Sequence, residues 1–166
     1  MAETEFTDAI AMLKADHRKV EDLFAKFESA RAESRMQSLA TQICNELKVH
    51  TMLEEEIFYP ALKGKVEDDL LNEAYVEHDG AKVLINDILG AAPDEFFEAK
   101  IKVLSEEIEH HVKEEEESRV GMFAQARSAD VDLVALRDAM LARKAELMPQ
   151  AEANALPEAE TRTISE

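Results

Sequence analysis

The chain has no tryptophan, one cysteine, four glycines and four prolines in 166 residues. That is too little punctuation for a fold of many short strands and tight turns. A lone Cys44 cannot close an internal disulfide, so no oxidising compartment is implied. Positive charge is scarce: 19 Lys and Arg stand against 37 Asp and Glu, a net charge of −18. Such a surface repels phosphate backbones and anionic lipid, which argues against nucleic-acid and membrane partners. No uncharged apolar run approaches bilayer-spanning length. The acidic start, Met1 to Phe6, lacks the apolar stretch of a secretory signal. The expectation is a soluble, cytoplasmic protein.

What remains is helical material. Apolar residues make up 46% and charged residues 34% of the chain, enough for one domain with a core. Ala, Leu, Glu and Lys dominate, and all favour helix. Apolar residues recur in steps of three and four along four segments. The first is expected from about Asp8 to Ser29, with Thr7 as N-cap candidate and the stripe Ile10, Leu13, His17, Val20, Phe24, Phe27. The second runs from about Arg35 to Tyr59, with Ser34 as cap candidate and Pro60 marking its end. Gly64 breaks the chain, and the third follows from about Val66 to Leu89, with Gly90 behind it. The fourth extends from Asp94, after Pro93, to about Arg127, with Gly121 as a weak point. A fifth helix is expected from about Val131 to Leu147, with Asp130 as cap candidate. The predicted fold is all-α: an up-down-up-down four-helix bundle over residues 1–127 and an accessory C-terminal helix over 128–148. Residues 149–166, Ala/Glu/Pro-rich without apolar period, read as a flexible tail.

Within the four-helix span lies an internal repeat. His17, His50 and Glu54 recur 61 residues later as His78, His111 and Glu115. All six fall on the apolar stripes that must face the bundle interior. A single His on such a stripe is usually a core histidine with a satisfied hydrogen bond. A carboxylate there is different, because burying it without a partner costs several kcal/mol or more. Each Glu stands one turn after a His, on the same face. Two Glu–His⁺ ion pairs in a metal-free structural bundle are one reading. A pair of transition-metal ions is the stronger one, since the set repeats in register with a further His in each copy. Four imidazoles and two carboxylates without a thiolate suit Fe or Mn. If two six-coordinate ions share both carboxylates and a solvent-derived bridge, about two positions stay open for a small ligand.

The segments Asp16-His17, His50-Thr51-Met52-Leu53-Glu54-Glu55-Glu56-Ile57-Phe58-Tyr59-Pro60, Glu77-His78-Asp79 and His111-Val112-Lys113-Glu114-Glu115-Glu116-Glu117 carry a family resemblance. Over about residues 8–127 the chain resembles the haemerythrin-like proteins of the HHE cation-binding type. The resemblance implies two Fe ions with an oxo or hydroxo bridge, Mn being the other metal considered. It also implies binding or reduction of O₂, hydrogen peroxide or NO; whether that extends to weak peroxidase-, catalase- or oxidase-like turnover the sequence leaves open. The alternative function is a non-enzymatic iron- or oxygen-sensing or iron-storage bundle. Respiratory oxygen carriers of this type place another His one turn after the third. Here that position is Lys82, which favours redox turnover or sensing over reversible carriage.

Outside the six expected ligands, Glu21 is the repeat mate of Lys82, and it is a candidate extra ligand or outer ion-pair partner. His110 adjoins His111 but lies about 100° around the helix, which suggests an outer position. Asp16, Glu77 and Asp79 flank ligand histidines and are candidates to orient neighbouring groups. In the run Glu114–Glu117 only Glu115 is in core phase, and the rest read as a solvated face. Tyr59, Tyr75 and Cys44 read as core packing.

Overall fold

The computed structural model describes residues 5–164. Helix α1 spans Ala9–Ser29 and α2 Glu33–Leu53. A π-helical segment, Glu54–Phe58, then leads into α3, Tyr59–Leu62. Helix α4 spans Asp68–Gly90, α5 Phe97–Glu116, α6 Met122–Ser128 and α7 Leu133–Glu152. No strand occurs among the described residues. None of their helices is long and apolar enough to cross a membrane.

The apolar residues fall into two clusters, and their order along the chain fixes the topology. Ile10 and Leu13 of α1, Leu53, Phe58 and Leu62, Leu71 of α4, and Met122 and Phe123 of α6 build one end. Val20 and Phe27 of α1, Leu39 and Ile43 of α2, Ile85 of α4, and Ile101 and Leu104 of α5 build the other. Going along the chain, α1 passes from the first cluster to the second, α2 returns, α4 repeats the first direction and α5 the second. The bundle is therefore up-down-up-down, and the repeated His and Glu residues sit in the layer between two apolar plugs. Helix α7 packs outside, on α1 and α2, and adds Met140 and Leu147 to the first cluster.

Helix ends differ from the sequence expectation where backbone chemistry overrides the apolar period. The α1 N-cap is Asp8, whose carboxylate accepts the Ala11 N–H at 2.9 Å, rather than Thr7. Asp132, not Asp130, caps α7, accepting from Ala135 N–H. No side chain caps α2, where Ala32 rather than Ser34 holds the cap position. Pro60 does not end the second helix. The π turn, in which the Tyr59 N–H bonds the Glu54 carbonyl, carries helical backbone past it to Leu62. The fourth helix stops at Glu116 instead of running to Arg127. There Glu117 turns out of the helix, and its carboxylate accepts the N–H groups of Arg119 and Val120. Gly121 is needed at this turn, because a Cβ would lie 2.5 Å from the Glu117 carbonyl oxygen.

The C-terminal segment also departs from expectation. Helix α7 continues through Pro149 to Glu152. Among the described residues beyond it, 159–163 are not a free tail but lie along α4. Asn86 and Ala159 exchange two hydrogen bonds, and the Lys82 ammonium donates to the Glu160 carbonyl. Asp79 accepts the N–H groups of Arg162 and Thr163 and the Thr163 hydroxyl. A buried carboxylate stripped of water demands donors, and backbone amides supply them.

Cys44 is fully buried, and burial pushes its thiol up to about 12. Native protein is expected to leave thiol reagents unreacted while urea-unfolded protein consumes one equivalent. Rapid native labelling would contradict this packing.

Candidate metal centre

The helix alternation brings all six repeated residues together. His17, His50 and Glu115 present ligand atoms within 4.8 Å of one another, and so do Glu54, His78 and His111. Each set takes its two His from one copy of the repeat in chain order and its Glu from the other, as an approximate two-fold requires. The Nε2 atoms of His17 and His50 face each other at 3.2 Å, and those of His78 and His111 at 3.1 Å. All six side chains are at least nine-tenths buried.

Every Nδ1 atom is held by a carboxylate. His17 Nδ1 meets Glu116 at 2.6 Å, and His50 Nδ1 meets Asp16 at 3.0 Å. His78 Nδ1 meets Glu55 at 2.7 Å, and His111 Nδ1 meets Glu77 at 2.8 Å. An ionised carboxylate only accepts, so each Nδ1 must carry a proton, and each Nε2 is the inward-facing atom whose lone pair becomes available to a cation once its own proton is given up. These four pairs obey the 61-residue repeat too: Asp16 maps onto Glu77 and Glu55 onto Glu116.

The carboxylates at the centre are under-satisfied. Both oxygens of Glu54 and Oε1 of Glu115 are buried without a hydrogen-bond partner. His50 Nε2 lies 2.9 Å from Glu54 Oε1, but not in hydrogen-bonding geometry. Burial alone would drive the Glu54 pKa up. The positive charge of His50 and contacts with His111, His50 and His78 overcome that and hold it well below the usual range. Burial would likewise lower the His50 pKa, yet the charges and contacts of Glu54 and Asp16 raise it to about 10. Converging imidazole Nε2 atoms and orphaned carboxylate oxygens are the donor set a pair of cations requires, so the residues present fit such a group.

Tyr59 enters this constellation, a role that the core-packing reading missed. Its hydroxyl donates to Glu115 Oε2 at 2.8 Å and stands 3.2 Å from Nε2 of both His78 and His111. Burial, with the neighbouring charges of Glu115 and Glu54, keeps the phenol well above its ordinary range and therefore protonated. The π turn explains both the position and the miss. It breaks the α-helical period at which Tyr59 would be counted. Tyr75 remains a packing residue, edge-on to the Tyr59 ring.

The other candidates separate. Glu21 is about half exposed and paired with Arg18 at 3.1 Å, outside the cluster. It borders a surface groove of about 650 Å³ between α1 and α5 that contains none of the six residues. Lys82 is buried, but its ammonium goes to Glu55 at 2.8 Å and not to the imidazoles. His110 is 65% exposed and meets Glu77 at 3.1 Å and Glu114 at 3.0 Å, so it touches the centre only through the carboxylate on His111. Glu116 is not part of a solvated face, since it holds His17. Asp79 orients no histidine and instead anchors the C-terminal segment. Glu55 and Glu116 had one sequence signal, the recurrence of Glu54-Glu55-Glu56 as Glu115-Glu116-Glu117.

Comparison with known proteins agrees with this architecture. The family model of the haemerythrin HHE cation-binding domain matches residues 8–123. A solved haemerythrin HHE cation-binding domain-containing protein from Mycobacterium kansasii superposes with a TM-score of 0.73 at 22% identity. The match covers 91% of this chain and 96% of that one. A DNA nickase from Nostoc sp. is 27% identical over 118 residues, 70% of this chain but 33% of the nickase. The chain thus spans about a third of that curated relative's length. With a family model matched over most of its helical bundle, the chain belongs to the haemerythrin HHE cation-binding domain family.

Proposed function

We propose that this protein holds two iron ions through His17, His50, His78, His111, Glu54 and Glu115, and uses them to bind or reduce a small oxidant. The ligand class is O₂, hydrogen peroxide or NO. The observation that carries the proposal is the set of three buried carboxylate oxygens without hydrogen-bond partners, facing four imidazoles whose Nδ1 atoms are already committed. When bound, the iron pair would supply one-electron redox chemistry and open coordination positions.

The chain's own residues do the rest. The four outer carboxylates fix the imidazole tautomers and raise their basicity. Glu54 and Glu115 offset the positive charge of the ions. Tyr59 holds a proton on Oη, against Glu115 Oε2, where an incoming oxygen-bearing ligand can receive it. A cavity of about 10 Å³, walled by Val20, Leu47, Ile108 and Val112, adjoins all four histidines. That is room for about one water, so ligands of a few atoms are admitted and larger reductants must act from outside. With the Lys82 ammonium committed to Glu55, no fifth imidazole completes one ion at the expense of the other, which favours turnover over stable carriage.

The nickase activity named for the Nostoc relative is not assigned to this chain. The match covers a third of that protein, and a net charge of −18 opposes a phosphate backbone. The test is elemental analysis of protein expressed with ample iron, with absorption spectra before and after peroxide. About two irons per chain and a peroxide-sensitive near-ultraviolet band are expected, as for carboxylate-bridged pairs in bundle cores. A consistent iron content near zero would sink the proposal.

A further inference from the structure

The four carboxylates that hold the imidazoles are themselves held, and the repeat shows by whom. Glu116, on His17, is met by Arg18 at 2.7 Å. Glu77, on His111, is met by His110 at 3.1 Å. Both donors belong to the four-helix bundle. Their repeat mates cannot serve the other two histidines. The mate of His110 is Val49, which has no side-chain donor, and the mate of Arg18 is Asp79, which has the wrong charge. Asp16 and Glu55 would therefore keep their histidines but lack an outer cation from the matching position.

Residues beyond the family-matched span supply the cation on Asp16 and add a second one on Glu55, beside Lys82 of α4. From α7, the Lys144 ammonium meets Asp16 Oδ1 at 2.7 Å, while Asp16 Oδ2 keeps His50. From the segment after α7, Arg162 Nε meets Glu55 Oε1 at 2.9 Å, while Glu55 Oε2 keeps His78. Lys82 shares that Glu55 oxygen at 2.8 Å. The misfit Asp79 is what brings Arg162 there, since its carboxylate binds the Arg162 and Thr163 amides. A carboxylate bonded through one oxygen can still swing about its χ angles, and a cation on the second oxygen removes that freedom.

We infer that the C-terminal segment is a working part of the metal centre, in which Lys144 and Arg162 are positioning residues for His50 and His78 through Asp16 and Glu55. The inference rests on the metal-centre reading above. One of its cations comes to each of the two ligand sets, His50 belonging to one and His78 to the other. The segment so supplies, from outside the repeat, the only outer cation on Asp16 among the described residues and the second one on Glu55.

The test compares Lys144→Met and Arg162→Met with wild type and with Arg143→Met. Arg143 also ties α7 to the bundle, through Glu56 at 2.9 Å, but Glu56 holds no histidine. Iron(II)-loaded proteins are mixed with excess chromogenic chelator under argon, and cobalt(II)-loaded proteins give visible spectra. Release is expected to speed up several-fold, at most about tenfold, in each positioning variant, since each cation acts one residue further out than a direct partner of a metal ligand. Their cobalt band positions should shift as well. Arg143→Met should release and absorb as wild type does, even if its melting temperature falls as far. Lys144→Arg and Arg162→Lys should restore most of the retention. Release rates in both Met variants equal to those of wild type and Arg143→Met would overturn this inference alone. A wild type that holds neither metal overturns the metal-centre reading and this inference with it.

Discussion

Replacing His111 by Ala should abolish the centre, while replacing its neighbour His110 should nearly spare it. Both histidines have a Glu four residues on, so the local motif does not separate them. Burial does. His111 is buried with Nε2 3.1 Å from that of His78, whereas His110 is 65% exposed. Loss of His111 removes a donor from one set and leaves Glu77 facing a gap. Metal content should fall from about two per chain to one or fewer, as for loss of a direct ligand in a carboxylate-bridged pair. Loss of His110 frees only the outer oxygen of Glu77, and an effect of at most about tenfold on affinity is expected. Elemental analysis with absorption spectra decides it. Metal stripped by His110→Ala but kept by His111→Ala would mean that α5 presents the other face.

The second large effect concerns stability and its pH dependence. Metal that binds only the folded chain adds RT ln(1 + [L]/Kd), about 4 kcal/mol at a thousandfold excess over Kd. For a chain of this size that is roughly 10 °C in melting temperature. In metal-free protein, protons on His17, His50 and His111 balance the central carboxylates, and all three imidazoles are raised above their ordinary value. Groups raised on folding stabilise fully below the unfolded value of about 6.5. For His50 that contribution is lost as pH rises towards about 10. Asp16, Glu54, Glu55 and Glu77 are lowered, so their contribution is present above about 4.5 and is lost on acidification. Metal-free protein should therefore be most stable between about pH 4.5 and 6.5 and weaken towards pH 9. A cation displaces the protons, so metal binding strengthens as pH rises. The gap in melting temperature between loaded and stripped protein should widen from about pH 6 to pH 9. An equal gap at both would count against a proton-for-metal exchange in the core.

The bundle and its six central residues were readable because they obey simple periods. Leu104, Ile108, His111 and Glu115 keep the 3.6-residue step, and the 61-residue shift ties them to the first hairpin. What was missed breaks or ignores those periods. Tyr59 lies beyond a π turn, which no apolar stripe announces. Glu55 and Glu116 stand one residue from a core-phase Glu, about 100° around, and reach a neighbouring helix instead of the core. The stop at Glu116 depends on a side chain accepting backbone amides and on a close approach at Gly121. The docking of Arg162 and Thr163 rests in large part on their backbone N–H groups, which every residue but proline has, and its side-chain contacts, Thr163 Oγ1 on Asp79 and Arg162 on Glu55, follow no period.

The π turn also decides how alike the two halves of the repeat can be. Shift Tyr59 by one repeat and the residue is Val120, 65% exposed in the turn after α5. One hairpin therefore sends a phenol inward where the other ends its helix and turns to solvent. Two ions in this cage would meet identical histidines but unequal neighbours. Their affinities and potentials would be spread rather than degenerate, so filling and oxidation would proceed in two distinguishable steps. Interchangeable halves would each carry the same neighbours; this chain sets a buried phenol against Glu115 in one of them and has an exposed valine at the matching place in the other.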